Sequence, residues 1–447
     1  MDKNTFIDII FKKSQEKSIE EFEIYFVSGR NTSLKVYDEK IENFSDNQNQ
    51  GISFRGKFNG KMGYSYTESF NEEDADFLID EAKENALVIE SNDEQIIYDG
   101  TGNYVPVETY NSSLEEIEVS QIEKFLINME KEAKNSDKRV RNINTCMFGM
   151  GSGERIIKNS KGVFLKDKGN IAYTYISLVI EENGVIKTGS DFKVSRNFAD
   201  FDYKKISHNA VNEAISKLNP ICIDLKESKC IIENLAFTSL IDSMMGIFSA
   251  EAVQKGVSLL KNKIEEKIAS DKFSLVDDPH LKDGESSSSF DAEGVPTQYK
   301  ELITNGILKT YLYNLKTAKK DGVKSTGNAS KGGYKGTIGI SSFNLYVKKG
   351  NKNFEELLKE IGNGILITDF AGLHSGLNSI SGDFSLAGEG FLIKNGKKCE
   401  ALNQMTIAGN FFELLKDIEE IGNDMKFSLS STGSPSILIK KLHFSVE

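Results

Sequence analysis

Apolar residues in the first 220 positions recur with two different periods. Phe6, Ile9 and Ile10 share one side of a helical wheel, so residues 4–16 are predicted as a helix capped by Asn4. From 21 to 67 the pattern switches to alternation, in FEIYFVSG, SLKVYD, KIENFS, GISFRGKF and KMGYSYT, which predicts strands. Asn59-Gly60 joins the last two as a hairpin. Helical spacing returns at 72–90, where Asn71 is the expected cap and Leu78, Ile79, Ala82 and Leu87 form the stripe. A longer helix is predicted over 114–134, with Ser113 and Glu116 as a capping box. Strands follow from 138 to 198, with another turn at Asn183-Gly184. A helix over 202–218 carries Val211, Ile215 and His208 on one side, and Asn219-Pro220 ends it.

That break is the expected boundary between two domains, 1–220 and 221–447. The second opens with a strand at 229–233 and an apolar helix over 235–249, in which Leu240, Met244, Ile247 and Phe248 are in register. A further helical piece is predicted over 255–269. Beyond Pro279 the pattern is mainly short strands punctuated by glycine, with turns at Asn305-Gly306 and Asn395-Gly396 and helices at 353–361 and 410–419. The fold class is therefore α+β: antiparallel sheets with covering helices, and a β-rich C-terminal domain. Glycines are densest at 364–396, consistent with hairpin corners or with close approach to a ligand.

Charge narrows the function. Fifty-five basic and 67 acidic residues give a net charge of -12, which disfavours nucleic acid or an anionic membrane as partner. No apolar run approaches the ~20 residues a membrane span needs. No signal peptide is recognisable, and Cys146, Cys222, Cys230 and Cys399 are too scattered for a disulfide or metal framework. A cytoplasmic protein is expected.

Candidate chemistry is sparse. Of the four histidines, His208, His280, His374 and His443, no two stand at helical metal spacing. His208 reads as a packed helix-face residue and His443 as a strand end. His374 has Asp369, Ser375 and Asp383 nearby, but an adjacent His-Ser pair cannot form the relay of a serine hydrolase directly. Asp277-Asp278 and the Asp291–Glu293 pair offer carboxylates, or ordinary turn chemistry. GMGSG at 149–153 lacks the setting of a dinucleotide loop and reads as a hairpin tip.

The wording of the second half is more specific. DDPHLKDGESSSSFDAEGVPTQYKELITNGILKTYLYNLKTAKKDG, then STGNAS, SGDFSLAGEGFLIKNG, TIAGN, IGND and GSPSILI, resemble in order the signatures of the TldD/PmbA metallopeptidase family. The resemblance runs along essentially the whole chain and is strongest beyond Lys255. The TldD kind of subunit carries H-E-x-x-x-H before a K-G-x-S segment. Anchored on Lys255-Gly256-Val257-Ser258, the motif falls where this sequence has Ile241, Asp242 and Gly246, and the further cysteine near the C-terminus is absent. The chain thus resembles the PmbA (TldE) kind.

The resemblance implies a cytosolic peptidase assembled from paired subunits that acts on short or unfolded peptides by zinc-assisted hydrolysis. This chain is expected to hold no metal of its own. Zinc would come from a TldD-type partner in a heterodimer, a homodimer being the other pairing. Residues 364–396 would wall the peptide cavity, with His374, Ser375, Gly376, Asp383 and Phe384 as substrate contacts together with Asp291 and Glu293. Two alternatives remain at this stage: a homodimeric peptide-binding protein without activity, and a self-sufficient hydrolase using Asp277, Asp278, Asp291 or Glu293.

Overall fold

A computed structural model describes residues 1–90 and 94–446. One six-stranded antiparallel sheet spans the first half. Its strands are β1 (Phe22–Tyr37), β2 (Lys40–Phe58), β3 (Lys61–Thr67), β4 (Val140–Asn159), β5 (Phe164–Glu182) and β6 (Val185–Ser195), in the order β3-β2-β1-β4-β5-β6. The alternation of β1 explains what lies on either side. Phe22, Ile24 and Phe26 pack with helices α1 (Lys3–Glu16) and α2 (Glu72–Val88). Leu34 and Val36, of the same parity, pack farther along with α4 (Val119–Ser136) and α5 (Tyr203–Ser216). The odd residues Glu23 and Tyr25 point the other way and are buried against the second half of the chain.

The four Asn-Gly turns form as expected. Asn59, Asn183, Asn305 and Asn395 have φ of 50°, 52°, 47° and 49°, each followed by a glycine also at positive φ. Several helix predictions need correction. Asp2, not Asn4, caps α1, accepting from the N–H groups of Asn4 and Thr5. The helix expected over 114–134 is broken into a single turn, α3 (Ser112–Glu115), capped by Asn111 rather than by the expected Ser113/Glu116 box, and α4, where Glu118 and Gln121 form a capping box. GMGSG is not a hairpin tip. It lies within β4, paired on both sides, and a side chain at Gly149 would meet the Tyr173 ring at 2.4 Å.

In the second half, β7 (Glu227–Ile232) belongs to a seven-stranded mixed sheet with strands Gly364–Ala371, Asp383–Lys394, Lys397–Ala401, Met405–Asn410, Ile418–Ile421 and Ile437–Val446. Its faces alternate. Ile365 and Ile367 join the main core around α6 (Asn234–Met244), while Leu366 packs under the helix Phe354–Ile361. A six-stranded sheet of short strands, from Leu275–Asp277 to Thr432–Ser434, shares the main core. The apolar helix expected over 235–249 stops at Met244 and tightens into a 3-10 turn, Met245–Phe248. Residues 255–269 form no helix. Gly256, Asn262 and Glu265 take positive φ, and the Glu265 and Ile268 N–H groups donate to Leu308 and Gly306 carbonyls instead. A helix absent from the sequence reading, Leu315–Asp321, is closed by an Asn314/Thr317 capping box and by Gly322 at φ 69°.

Candidate functional site

The glycine-rich stretch makes a corner. The strand Gly364–Ala371 ends at Gly372, whose φ of 83° starts a single helical turn, Leu373–Gly376. Leu373 and Leu377 face the core, which turns His374 and Ser375 outward and leaves both exposed. A Cβ at Gly376 would stand 2.4 Å from the Ser385 carbonyl oxygen, so only glycine lets the turn lie this close to the returning strand. Asp383 opens that strand. Its carboxylate accepts from Asn410 Nδ2 and Ser381 Oγ at 2.8 Å each, and the Asn410 bond, with that of Ser381, holds its pKa below the usual range. His374, Ser375, Gly376 and Asp383 therefore share one exposed corner. Phe384 does not belong with them: it is 4% exposed and packs in the core.

The turn of His374 lies against α6. That helix and the 3-10 turn that follows it carry the positions where the resemblance places metal ligands. Ile241 is buried in the core, Gly246 is exposed, and Asp242 Oδ1 accepts from Thr432 Oγ1 at 2.8 Å. Isoleucine and glycine side chains have no donor atom, so these positions do not fit a zinc ion. The beginning of α6 is fixed by the late motifs. Asn234 Nδ2 donates to the Asp424 carbonyl at 3.0 Å, and Asp424 accepts from the Ser436 N–H at 2.9 Å and its hydroxyl at 2.7 Å.

Asp291 and Glu293 also fall away from the corner. Both are buried. Asp291 accepts from the N–H groups of Glu293, Val295 and Ala329, while burial and then the charge of Glu293 push its carboxyl up to about 7. Glu293 accepts from the Leu315 N–H at 2.8 Å and faces Arg55 Nη1 at 3.4 Å. Arg55 in turn holds Glu23, its cross-strand neighbour, through Nε at 2.8 Å and Nη2 at 3.2 Å. Asp277, fully buried, accepts from Lys300, Asn328 and the Phe343 N–H. Three of the four histidines have polar neighbours elsewhere: His280 shares a 3.0 Å hydrogen bond with Thr297, His208, half exposed rather than packed, lies 3.0 Å from Glu132, and the exposed His443 lies 3.7 Å from Glu227.

The DDPH-to-GVP signature is thus a joint between the halves. Arg155 of β4 donates to Ser288 Oγ and the Phe290 carbonyl, and Arg196 donates to the carbonyls of Gly284 and Glu285. Lys331 Nζ bonds Ser53 and sits over the Tyr25 ring, and burial, with Glu23 pulling the other way, pushes its ammonium down to about 8. Sequence reasoning missed Glu23, Arg55, Arg155, Arg196 and Lys331. In a strand pattern a basic residue between apolar ones reads as solvent-facing.

The fold and this arrangement of signatures are those of the PmbA/TldD metallopeptidase family, to which the chain belongs. Models of its domain 1, central domain and C-terminal domain match residues 22–86, 112–218 and 226–446. The chain is 28% identical to Metalloprotease PmbA of Escherichia coli over 70% of this chain and 67% of that one. It is 30% identical to a Metalloprotease PmbA homolog of Buchnera aphidicola over 71% and 68%. Among solved structures, TldE from Thermococcus kodakarensis superposes with a TM-score of 0.90 at 25% identity, covering 98% of this chain and 100% of that one. A Thermotoga maritima protein described as a candidate modulator of a DNA gyrase gives 0.92 at 32% identity, covering 99% and 100%.

Proposed function

We propose that this chain is the PmbA/TldE-type subunit of a peptidase complex, acting on short or unfolded peptides in the cytoplasm and carrying no hydrolytic centre of its own. One observation carries the reading: a family member has a buried isoleucine and an exposed glycine, Ile241 and Gly246, where its metal-binding relatives need donors. A TldD-type partner supplies zinc and the general base, and this chain shapes the cavity. The corner of His374, Ser375, Gly376 and Asp383, set against α6, is the surface offered to peptide or partner. An independent hydrolase would need a carboxylate open to substrate; Asp277, Asp291 and Glu293 are buried and occupied, and Asp278, half-buried, accepts from the His280 N–H at 2.9 Å as turn chemistry.

The test is reconstitution. Purified alone, the chain should retain no stoichiometric zinc and leave unfolded peptides intact. Mixed with an H-E-x-x-x-H-bearing paralogue from the same cell, it should form a stable complex and raise chelator-sensitive peptide cleavage. One zinc per isolated chain together with cleavage abolished by chelator would overturn the proposal.

A further inference from the structure

Where the two halves are covalently joined lies an open pocket of about 220 Å³. The linker after α5 tacks onto the C-terminal sheet beneath it. The Ile221 N–H donates to the Ala401 carbonyl at 2.8 Å, and the Leu402 N–H to that of Gly390 at 2.9 Å. The walls are small because the sheet demands it. A Cβ at Gly390 would lie 2.0 Å from the Leu366 oxygen, and one at Gly388 2.3 Å from Ile407. Ala371, Ala387 and Ala401 leave the remaining space open.

Four charged side chains line this space, two of each sign. Lys187 and Lys217 come from the first half, Asp369 and Glu389 from the second. Lys217, the residue that ends α5, reaches Glu213 at 2.8 Å and Glu389 at 2.9 Å. Asp369 stands directly opposite Glu389 across the strand pair, just after a bulge that re-aims the strand. Asp369 is solvent-exposed, among the described residues no ion pair involves it, and partial desolvation at the pocket, then the Glu389 charge, raise its carboxyl above its ordinary value. An anion alone would meet two carboxylates, and a cation alone two ammonium groups. A neutral apolar molecule would cover these charges without offering any of them a partner. The volume equals about seven waters' share of the liquid.

We infer that this pocket binds a small zwitterion of the α-amino-acid class, its ammonium group between Asp369 and Glu389 and its carboxylate toward Lys187 and Lys217. Pockets of this kind favour domain junctions, and an occupant here touches both halves at once. The inference stands apart from the peptidase reading, since it needs neither partner nor metal.

The experiment is a titration of the full-length chain by calorimetry and saturation-transfer NMR with L-alanine, ethylamine and propionate. L-alanine should saturate a single site, with the singly charged analogues at least about tenfold weaker, and Asp369→Asn and Lys187→Gln should each weaken binding about ten- to hundredfold. Melting curves of both variants check that the fold survives, and Lys187→Gln, on the rim, serves if the first variant is unstable. Absence of saturable alanine binding, equal binding of either analogue, or binding untouched by both substitutions would each overturn the assignment.

Discussion

Replacing Arg55 with methionine should weaken both halves of the molecule at once. The guanidinium is 4% exposed and serves two buried carboxylates, Glu23 at 2.8 Å and Glu293 at 3.4 Å. At an effective dielectric constant of about 20 these contacts represent gross attractions of about 6 and about 5 kcal/mol, largely offset by the cost of taking the ions out of water. Methionine fills most of the volume but leaves that cost uncompensated, so the expected loss is about 3–5 kcal/mol. Burial already holds Glu293 above the ordinary glutamate value, with Arg55 pulling it down. Without Arg55 its folded pKa rises further above the unfolded one. A carboxyl in that situation stabilises while protonated and loses that contribution as pH rises. The defect should therefore be smallest near pH 5 and grow toward pH 8. Urea unfolding followed by circular dichroism gives the midpoint, and hydrogen-exchange mass spectrometry locates the change, which matters because a chain of several domains need not unfold in one step. Exchange should accelerate in both 22–27 and 290–297, and adding Glu23→Met should restore part of the loss. A midpoint shift equivalent to less than about 1 kcal/mol, or acceleration confined to one half, would refute the reasoning.

Other outcomes follow from the same geometry. Gly63→Ala places a Cβ 1.7 Å from the Ala82 carbonyl oxygen, so α2 must lift from β3 at a cost of about 1–3 kcal/mol, measurable by thermal unfolding. Phe384→Ala should cost about 3–5 kcal/mol, whereas His374→Ala should stay within about 0.5 kcal/mol and lower only the peptide cleavage of the reconstituted complex. Glu285, pushed up to about 7 by burial despite Arg196, stabilises the joint while protonated. Exchange in 281–290 should rise between pH 5 and 8, and Glu285→Gln should flatten that dependence.

What the sequence disclosed is governed by distance along the chain. The Asn-Gly turns and the β1–β3 meander are written within a few residues and could be read directly. Residues 255–269 misled because Leu260, Ile264 and Ile268 keep a helical spacing while Gly256 and Asn262 bend the backbone the other way. For the candidate site, the exposed corner from His374 to Asp383 was legible because its glycines and polar residues are contiguous. Asp291, Glu293 and Phe384 were placed with it by proximity to motifs, yet their environment is decided from afar. Arg55 meets Glu293 across 238 positions, and nothing local in GISFRGKF announces that partner.

That long-range joint limits how the halves can be recombined. A chimera taking residues 1–220 from a paralogue would bring Glu293 and the loop carbonyls of Gly284, Glu285 and Phe290 against whatever replaces Arg55, Arg155 and Arg196, stranding a buried carboxyl and its neighbouring carbonyls. The two halves are interchangeable only together with the strand residues that grip the loop, a constraint that is independent of any metal chemistry.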